Sequence, residues 1–131
     1  MDIRINERGQ AVAPATIKVN SDAFEKIDHS EIRWLGSASM MINSRGTNIM
    51  IDPLLEGFDM PLLIDMPILP KDVPTLDGLL ITHIDNDHFS RITCRDLKDV
   101  CKAYHAPKYV AEVMKEELDI DGIGHDIGDT F

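Results

Sequence analysis

The run Gly78-Leu79-Leu80-Ile81 leads without a break into Thr82-His83-Ile84-Asp85-Asn86-Asp87-His88, and this junction constrains the fold more than any other feature of the chain. A short apolar run with no polar alternation reads as a strand buried on both faces, which needs layers packed on either side and points to an α/β architecture. The cluster that follows falls where α/β proteins place their sites, on a loop held by a rigid sheet.

His83, Asp85, Asp87 and His88 bring two imidazoles and two carboxylates into six residues. In an extended segment, side chains two residues apart project to one side while the neighbours Asp87 and His88 diverge, so a bent loop can feed two adjacent metal positions. Imidazole nitrogen and carboxylate oxygen suit zinc, iron or manganese, ions that lower the pKa of water and so favour hydrolysis near neutral pH. The plainer alternative is a solvated acidic turn with incidental histidines.

The flanking chain supports an alternation of strands and helices. Ile32-Arg33-Trp34-Leu35 stops at Gly36, and Ser39-Met40-Met41-Ile42 and Thr47-Asn48-Ile49-Met50-Ile51 form a hairpin about Ser44-Arg45-Gly46, ended by Asp52-Pro53. Between Leu54 and Pro74, four prolines interleaved with apolar residues predict a long apolar loop, packed over the core or serving as a cleft rim or subunit contact. Thr93-Cys94-Arg95-Asp96 reads as a capping box, so a helix is expected to start near Thr93. After a brief link at Tyr104 to Ala106, Pro107 opens a second helix whose apolar face is Val110, Val113, Met114 and Leu118. Residues 119–131 carry no obvious finishing element. Residues 1–28 are polar and irregular, with a possible helical turn near Ser21 to Ile27, and read as an N-terminal arm or edge strand. Trp34 is expected in core or sheet packing, and Met40, Met41, Met50, Met60 and Met66 as gap fillers.

At 131 residues the chain suits one modest domain. Thirteen basic against 23 acidic residues give a net charge of -10, which repels phosphate backbones and disfavours duplex nucleic acid as a partner. Cys94 and Cys101, if they share a helix, lie about 10 Å apart along its axis, too far for a disulfide. With no signal peptide and no apolar run near the length of a membrane span, a cytoplasmic location is expected. His29, His105 and His125 stand outside any cluster and read as surface or structural histidines.

Three segments, in this order, resemble the metallo-β-lactamase superfamily: Ile32-Arg33-Trp34-Leu35-Gly36-Ser37-Ala38-Ser39, Asn48-Ile49-Met50-Ile51-Asp52-Pro53, and Thr82 to His88 as a copy of the T-H-x-H-x-D-H motif with aspartate at position 85. The branch most similar contains ascorbate-6-phosphate lactonase and related metal-dependent hydrolases. The resemblance implies an α/β fold, the N-terminal portion of an αββα sandwich over residues 29–131, truncated before further ligands of a second half. It implies His83 and the residue at Asp85 on one metal, Asp87 and His88 on a second, and Asp87 as the catalytic residue orienting the attacking water. Asp52 would hold a ligand's ring or loop in place, or simply cap the turn before Pro53. The implied cofactor is a divalent metal, zinc or manganese with iron or magnesium as alternatives, up to two ions in the complete fold. The implied substrate is a small lactone, amide or phosphoester, with a phosphodiesterase as the nearest enzymatic alternative. A non-catalytic metal-binding or interaction module is the rival. A half-sandwich also exposes a sheet face or edge, so self-association into a homo-oligomer, or pairing with a missing C-terminal half, is expected.

Overall fold

A computed structural model describes residues 4–12, 15–56 and 64–131. Its frame is a six-stranded mixed sheet in sequence order: β1 (Ser30–Gly36), β2 (Ser39–Ser44), β3 (Thr47–Ile51), β4 (Gly78–Leu80), β5 (Tyr104–Pro107) and β6 (Ile123–His125). The first three strands form an antiparallel meander, and β3 to β6 run parallel; the long loop leads from β3 to β4, helix α1 (Arg91–Asp96) joins β4 to β5, and helix α2 (Lys108–Leu118) joins β5 to β6. The hairpin between β2 and β3 turns through Arg45 and Gly46, both at positive φ (55° and 96°), the backbone that matches the twist of the flanking strands and that glycine adopts without a steric cost.

Alternation in the strands separates two faces. Met41, Met50, Leu79, Tyr104 and Ala106 point into one core with Cys94, Leu97, Val110, Val113 and Met114 of the helical side. Ala23 and Phe24, from a 3-10 turn at Ser21–Phe24, join the same core. The opposite face carries Ile32, Trp34, Met40, Ile42, Ile49, Ile51 and Leu80, and among these Ile32 and Trp34 are each 65% exposed. A sheet with one solvated face ordinarily shows polar residues there; this one is apolar on both.

Several expectations are corrected. Of the two places expected for Trp34 it takes the sheet and not the core: it lies on the open sheet face, its indole Nε1 donating to the Ser37 carbonyl at 2.7 Å. Helix α1 starts at Arg91, because Ser90 takes the cap by accepting from the Thr93 amide; Thr93 is instead fully buried, its hydroxyl accepting from the Leu55 amide (3.1 Å) and donating to the Glu56 carbonyl (3.0 Å). The link at Tyr104 to Ala106 is strand β5, and the C-terminal segment supplies β6, since parallel pairing to a neighbour needs no long apolar run. Cys94 and Cys101 share no helix, as α1 ends at Asp96; both are free thiols, and burial pushes the Cys101 thiol up to about 11.

In the long loop, Leu54, Leu55, Ile68 and Val73 are buried, so its described ends pack on the core. Pro61 and Met60 lie outside the described residues. Residues 16–19 run beside 65–67, with Val19 N donating to the Pro67 carbonyl and Thr16 Oγ1 to that of Asp65. Ile5 bridges Ala11 at the start of the chain, and Ile3 lies outside the described residues. Among the described residues no helix is long and apolar enough to cross a membrane.

Candidate metal centre

Asp52 and Thr82 follow the ends of the adjacent parallel strands β3 and β4, at the edge where α/β sheets gather ligands. Asp52 sits in the left-handed region (φ 46°), which Asp tolerates better than most residues, and its amide donates to the Leu80 carbonyl at 2.8 Å. That backbone is clamped by buried Ser39, whose hydroxyl donates to the Asp52 carbonyl (2.9 Å) and accepts from the Leu54 amide (2.8 Å). The result is a carboxylate turned inward, its side chain only 3% exposed.

Such a buried charge needs donors, and Asp52 has them. Its Oδ1 accepts from the Thr82 amide at 2.7 Å; its Oδ2 accepts from Thr82 Oγ1 at 2.5 Å and lies 2.8 Å from His88 Nδ1. The three partners satisfy both oxygens. His83 Nδ1 lies 2.9 Å from Thr82 Oγ1, and the two imidazole centroids are 3.8 Å apart.

The loop from Asp85 to His88 is a tight turn in which the Asp85 carbonyl accepts from both the His88 amide (2.9 Å) and the Phe89 amide (2.7 Å). Phe89, fully buried, anchors it from below. Arg91 at the start of α1 binds the Asn86 side chain and pairs with Glu117 of α2, tying the loop to the helical layer. The turn sends the carboxylates of Asp85 and Asp87 outward, to 70% and 47% exposure, where Asp85 Oδ2 stands 3.3 Å from His83 Nε2 and Asp87 Oδ2 stands 3.6 Å from His88 Nε2.

One donor atom each from Asp52, His83 and His88 falls within a 4.8 Å spread. Geometry alone admits Asp52 as a ligand, but its saturated hydrogen bonding and burial argue that it serves the imidazoles instead. The outward atoms, His83 Nε2 and His88 Nε2 with Asp85 and Asp87 beside them, are the nitrogen and oxygen donors that a borderline divalent ion takes. The residues present therefore fit such an ion.

The structure brings all five residues singled out in the sequence to one place: Asp52, His83, Asp85, Asp87 and His88. Sequence reasoning missed the supporting hydroxyls of Ser39, Thr82 and Thr93; the only signal was that small hydroxyl residues stand next to motif positions. His105 and His125 form a separate pair across β5 and β6, His105 Nδ1 2.9 Å from His125 Nε2, with Phe131 stacked on both rings. Partial burial, then the neighbouring His125, hold the His105 pKa below its ordinary value.

Comparison with known proteins gives a consistent family. The family model described as the Metallo-beta-lactamase superfamily matches residues 32–122. A UPF0173 metal-dependent hydrolase of Nitratidesulfovibrio vulgaris is 30% identical over 114 residues, covering 77% of this chain and 42% of that protein. Another from Metallosphaera sedula is 32% identical over 63 residues, covering 48% of this chain and 24% of that protein. Among solved structures, CmlA, a diiron beta-hydroxylase from Streptomyces venezuelae, has a TM-score of 0.63 at 20% identity over 80% of this chain and 22% of its own; that likeness is one of fold. The chain thus spans less than half the length of the relatives it matches.

Proposed function

This chain belongs to the metallo-β-lactamase superfamily, and from that premise we propose that it is the metal-binding part of a metal-dependent hydrolase. The observation that carries the reading is the pairing at the loop: the Nε2 atoms of His83 and His88 each stand within 4 Å of a carboxylate, of Asp85 and Asp87 respectively. An imidazole nitrogen and a carboxylate oxygen at that distance attract when a metal ion or an Nε2 proton lies between them, and the two pairs side by side suit a metal ion.

In this reading His83 and Asp85 hold one ion, and Asp87 and His88 a second or shared one, with Asp52 orienting the His88 ring. The donor set suits zinc or manganese, with iron or magnesium favoured as carboxylate replaces imidazole at position 85. When bound, the ion supplies Lewis acidity that activates water and polarises the scissile group. The Asp87 carboxylate would also orient the attacking water. As the water oxygen bonds to the acyl carbon or phosphorus, the Asp87 carboxylate would take the proton released by the water and pass it to the departing oxygen or nitrogen, so that the leaving group departs as a neutral alcohol or amine. The substrates proposed are small lactones, amides or phosphoesters, in keeping with the lactonase-like branch that the sequence motifs resemble. Phosphodiester cleavage at the same centre is the nearest variant.

A second reading, a non-catalytic metal-binding or interaction module, is favoured by two observations. Among the described residues only Asp52, His83 and His88 form a compact donor group, and the apolar open face of the sheet suits a partner surface. That face is proposed to bury against another copy or a second half of the fold; residues 1–28 are proposed to serve as an arm to the 29–131 domain.

The test is metal content by inductively coupled plasma mass spectrometry on the purified chain beside His83→Ala and Asp87→Ala. Near-stoichiometric metal, lost in both variants, is expected, followed by a hydrolase screen with that metal. A folded chain that takes up no added zinc or manganese would remove the metal-centre reading for this chain.

A further inference from the structure

We infer that Thr82 is a positioning residue whose single hydroxyl proton fixes the ring tautomer of His83, so that one buried carboxylate, Asp52, governs both imidazoles of the loop. Its relevance to metal binding rests on the reading above; the proton arrangement itself does not.

A threonine hydroxyl has one proton to give and two lone pairs to receive. Thr82 Oγ1 stands 2.5 Å from Asp52 Oδ2 and 2.9 Å from His83 Nδ1. The carboxylate carries no proton and a negative charge, so the short contact requires that Thr82 donate to it. The hydroxyl then has only lone pairs for His83, and the 2.9 Å contact requires Nδ1–H. The opposite arrangement would set a lone pair of Oγ1 against a carboxylate at 2.5 Å. His88 reaches the same state directly, because its Nδ1 lies 2.8 Å from the same Oδ2, which can only accept. Both rings, when neutral, therefore carry their proton on Nδ1 and leave Nε2 bare.

The chain of command runs from one residue. Asp52 Oδ1 is occupied by the Thr82 amide, which prevents the carboxylate from rotating away from the hydroxyl and His88. Thr82 is bound twice, through its amide and its hydroxyl, so its χ1 is set by the same partner that polarises it. Its side chain touches no outward donor atom, and its influence passes through His83.

The experiment uses the full chain, stripped of metal and labelled with 15N, in long-range proton–nitrogen correlation spectra of the imidazoles at a pH where both rings are neutral. In the parent both His83 and His88 are expected as Nδ1–H. Thr82→Val is expected to move His83 to Nε2–H, with Asp85 as its new acceptor, and to leave His88 on Nδ1–H; Thr82→Ser restores the parent pattern. In zinc titrations Thr82→Val is expected to weaken binding about tenfold, the low end for loss of a ring's outer partner. A parent His83 found as Nε2–H, or a Thr82→Val variant whose His83 stays Nδ1–H, would overturn the inference. The parent spectrum tests it even if Thr82→Val does not fold. The predicted tautomers in a chain that takes up no zinc would uphold this arrangement while removing the metal-centre reading, so the two fail separately.

Discussion

Asp52 Oδ2 and His88 Nδ1 meet at 2.8 Å across 36 residues of sequence, and through that contact the hairpin half of the sheet reaches the cluster after β4. The contact exists because β3 and β4 are parallel neighbours, with Ile51 opposite Leu80, so the residues leaving their ends emerge side by side. A carboxylate at the end of one strand and a histidine loop at the end of the next then become partners without any local sequence signal linking them.

Replacing the carboxylate should therefore act at a distance in sequence. Asp52→Asn keeps the left-handed backbone, which asparagine tolerates, but offers an amide NH2 or a single oxygen where three donors now converge. A folded protein with zinc affinity reduced 10- to 100-fold is expected, read by competitive titration. Asp52→Ala should add a stability loss of about 1–3 kcal/mol, because the Thr82 amide loses its partner; thermal melts of the two variants separate these effects.

The sequence carried much of this arrangement, and the particular residues show why. The run at Gly78 to Ile81 located the strand, and the spacing of His83, Asp85, Asp87 and His88 located the loop, because chemistry-bearing residues cluster over a few positions where period and composition are visible. Asp52 was legible only through a resemblance, since nothing local distinguishes a buried orienting carboxylate from a turn cap. The start of α1 is ambiguous in the sequence because Ser90 and Thr93 are both competent caps, and the choice is made by Leu55 and Glu56, which occupy the Thr93 hydroxyl from a loop 37 to 38 residues away. Strands β5 and β6 were missed because each is only three or four residues long and exists by pairing.

Thr93 gives a stability prediction of its own. Thr93→Val preserves shape but removes the acceptor for the Leu55 amide and the donor to the Glu56 carbonyl, in a fully buried position. A loss of about 1–3 kcal/mol is expected for the Leu55 amide left without its acceptor, while the Glu56 carbonyl keeps Ser90 Oγ at 3.1 Å; denaturant unfolding measures it. A neutral result would mean that the loop after Asp52 is held by its apolar residues alone.

Acid should loosen the far end of the sheet. The His105 pKa lies below the ordinary histidine value of about 6.5, first because of partial burial and then because of His125. A histidine with a depressed pKa binds fewer protons folded than unfolded. Its contribution is therefore complete above about pH 6.5 and is lost as pH falls through the lower folded value. The melting temperature of the parent should fall between pH 7 and pH 5, and His105→Gln should flatten that part of the curve. Equal slopes in the two proteins would assign the pH response to other groups.

The open sheet face predicts association. Ile32 and Trp34 are largely exposed beside Met40 and Ile42, and an apolar patch of this kind on a sheet is a contact surface in wait of a partner. Sedimentation of the isolated chain should show dimers or larger species at micromolar concentration, and Ile32→Lys with Trp34→Lys should shift it toward monomer without unfolding it, since neither side chain is in the core. A parent that remains monomeric throughout would argue that the face is solvated as it stands.

Position 85 offers the sharpest test of what the loop does. Asp85 places a carboxylate 3.3 Å from His83 Nε2 where the family motif carries a second imidazole, and its side chain is 70% exposed, so exchanging it leaves the core untouched. Asp85→His adds a borderline nitrogen donor and removes one negative charge. On donor preference alone, zinc affinity should rise on the order of tenfold while manganese and magnesium weaken. If instead zinc binding is unchanged and manganese is lost, the carboxylate is a ligand that selects a harder ion. If neither metal responds, the ion is held by His88 and Asp87 without help from this position. Competitive titration with each metal, in the parent and the variant, separates the three.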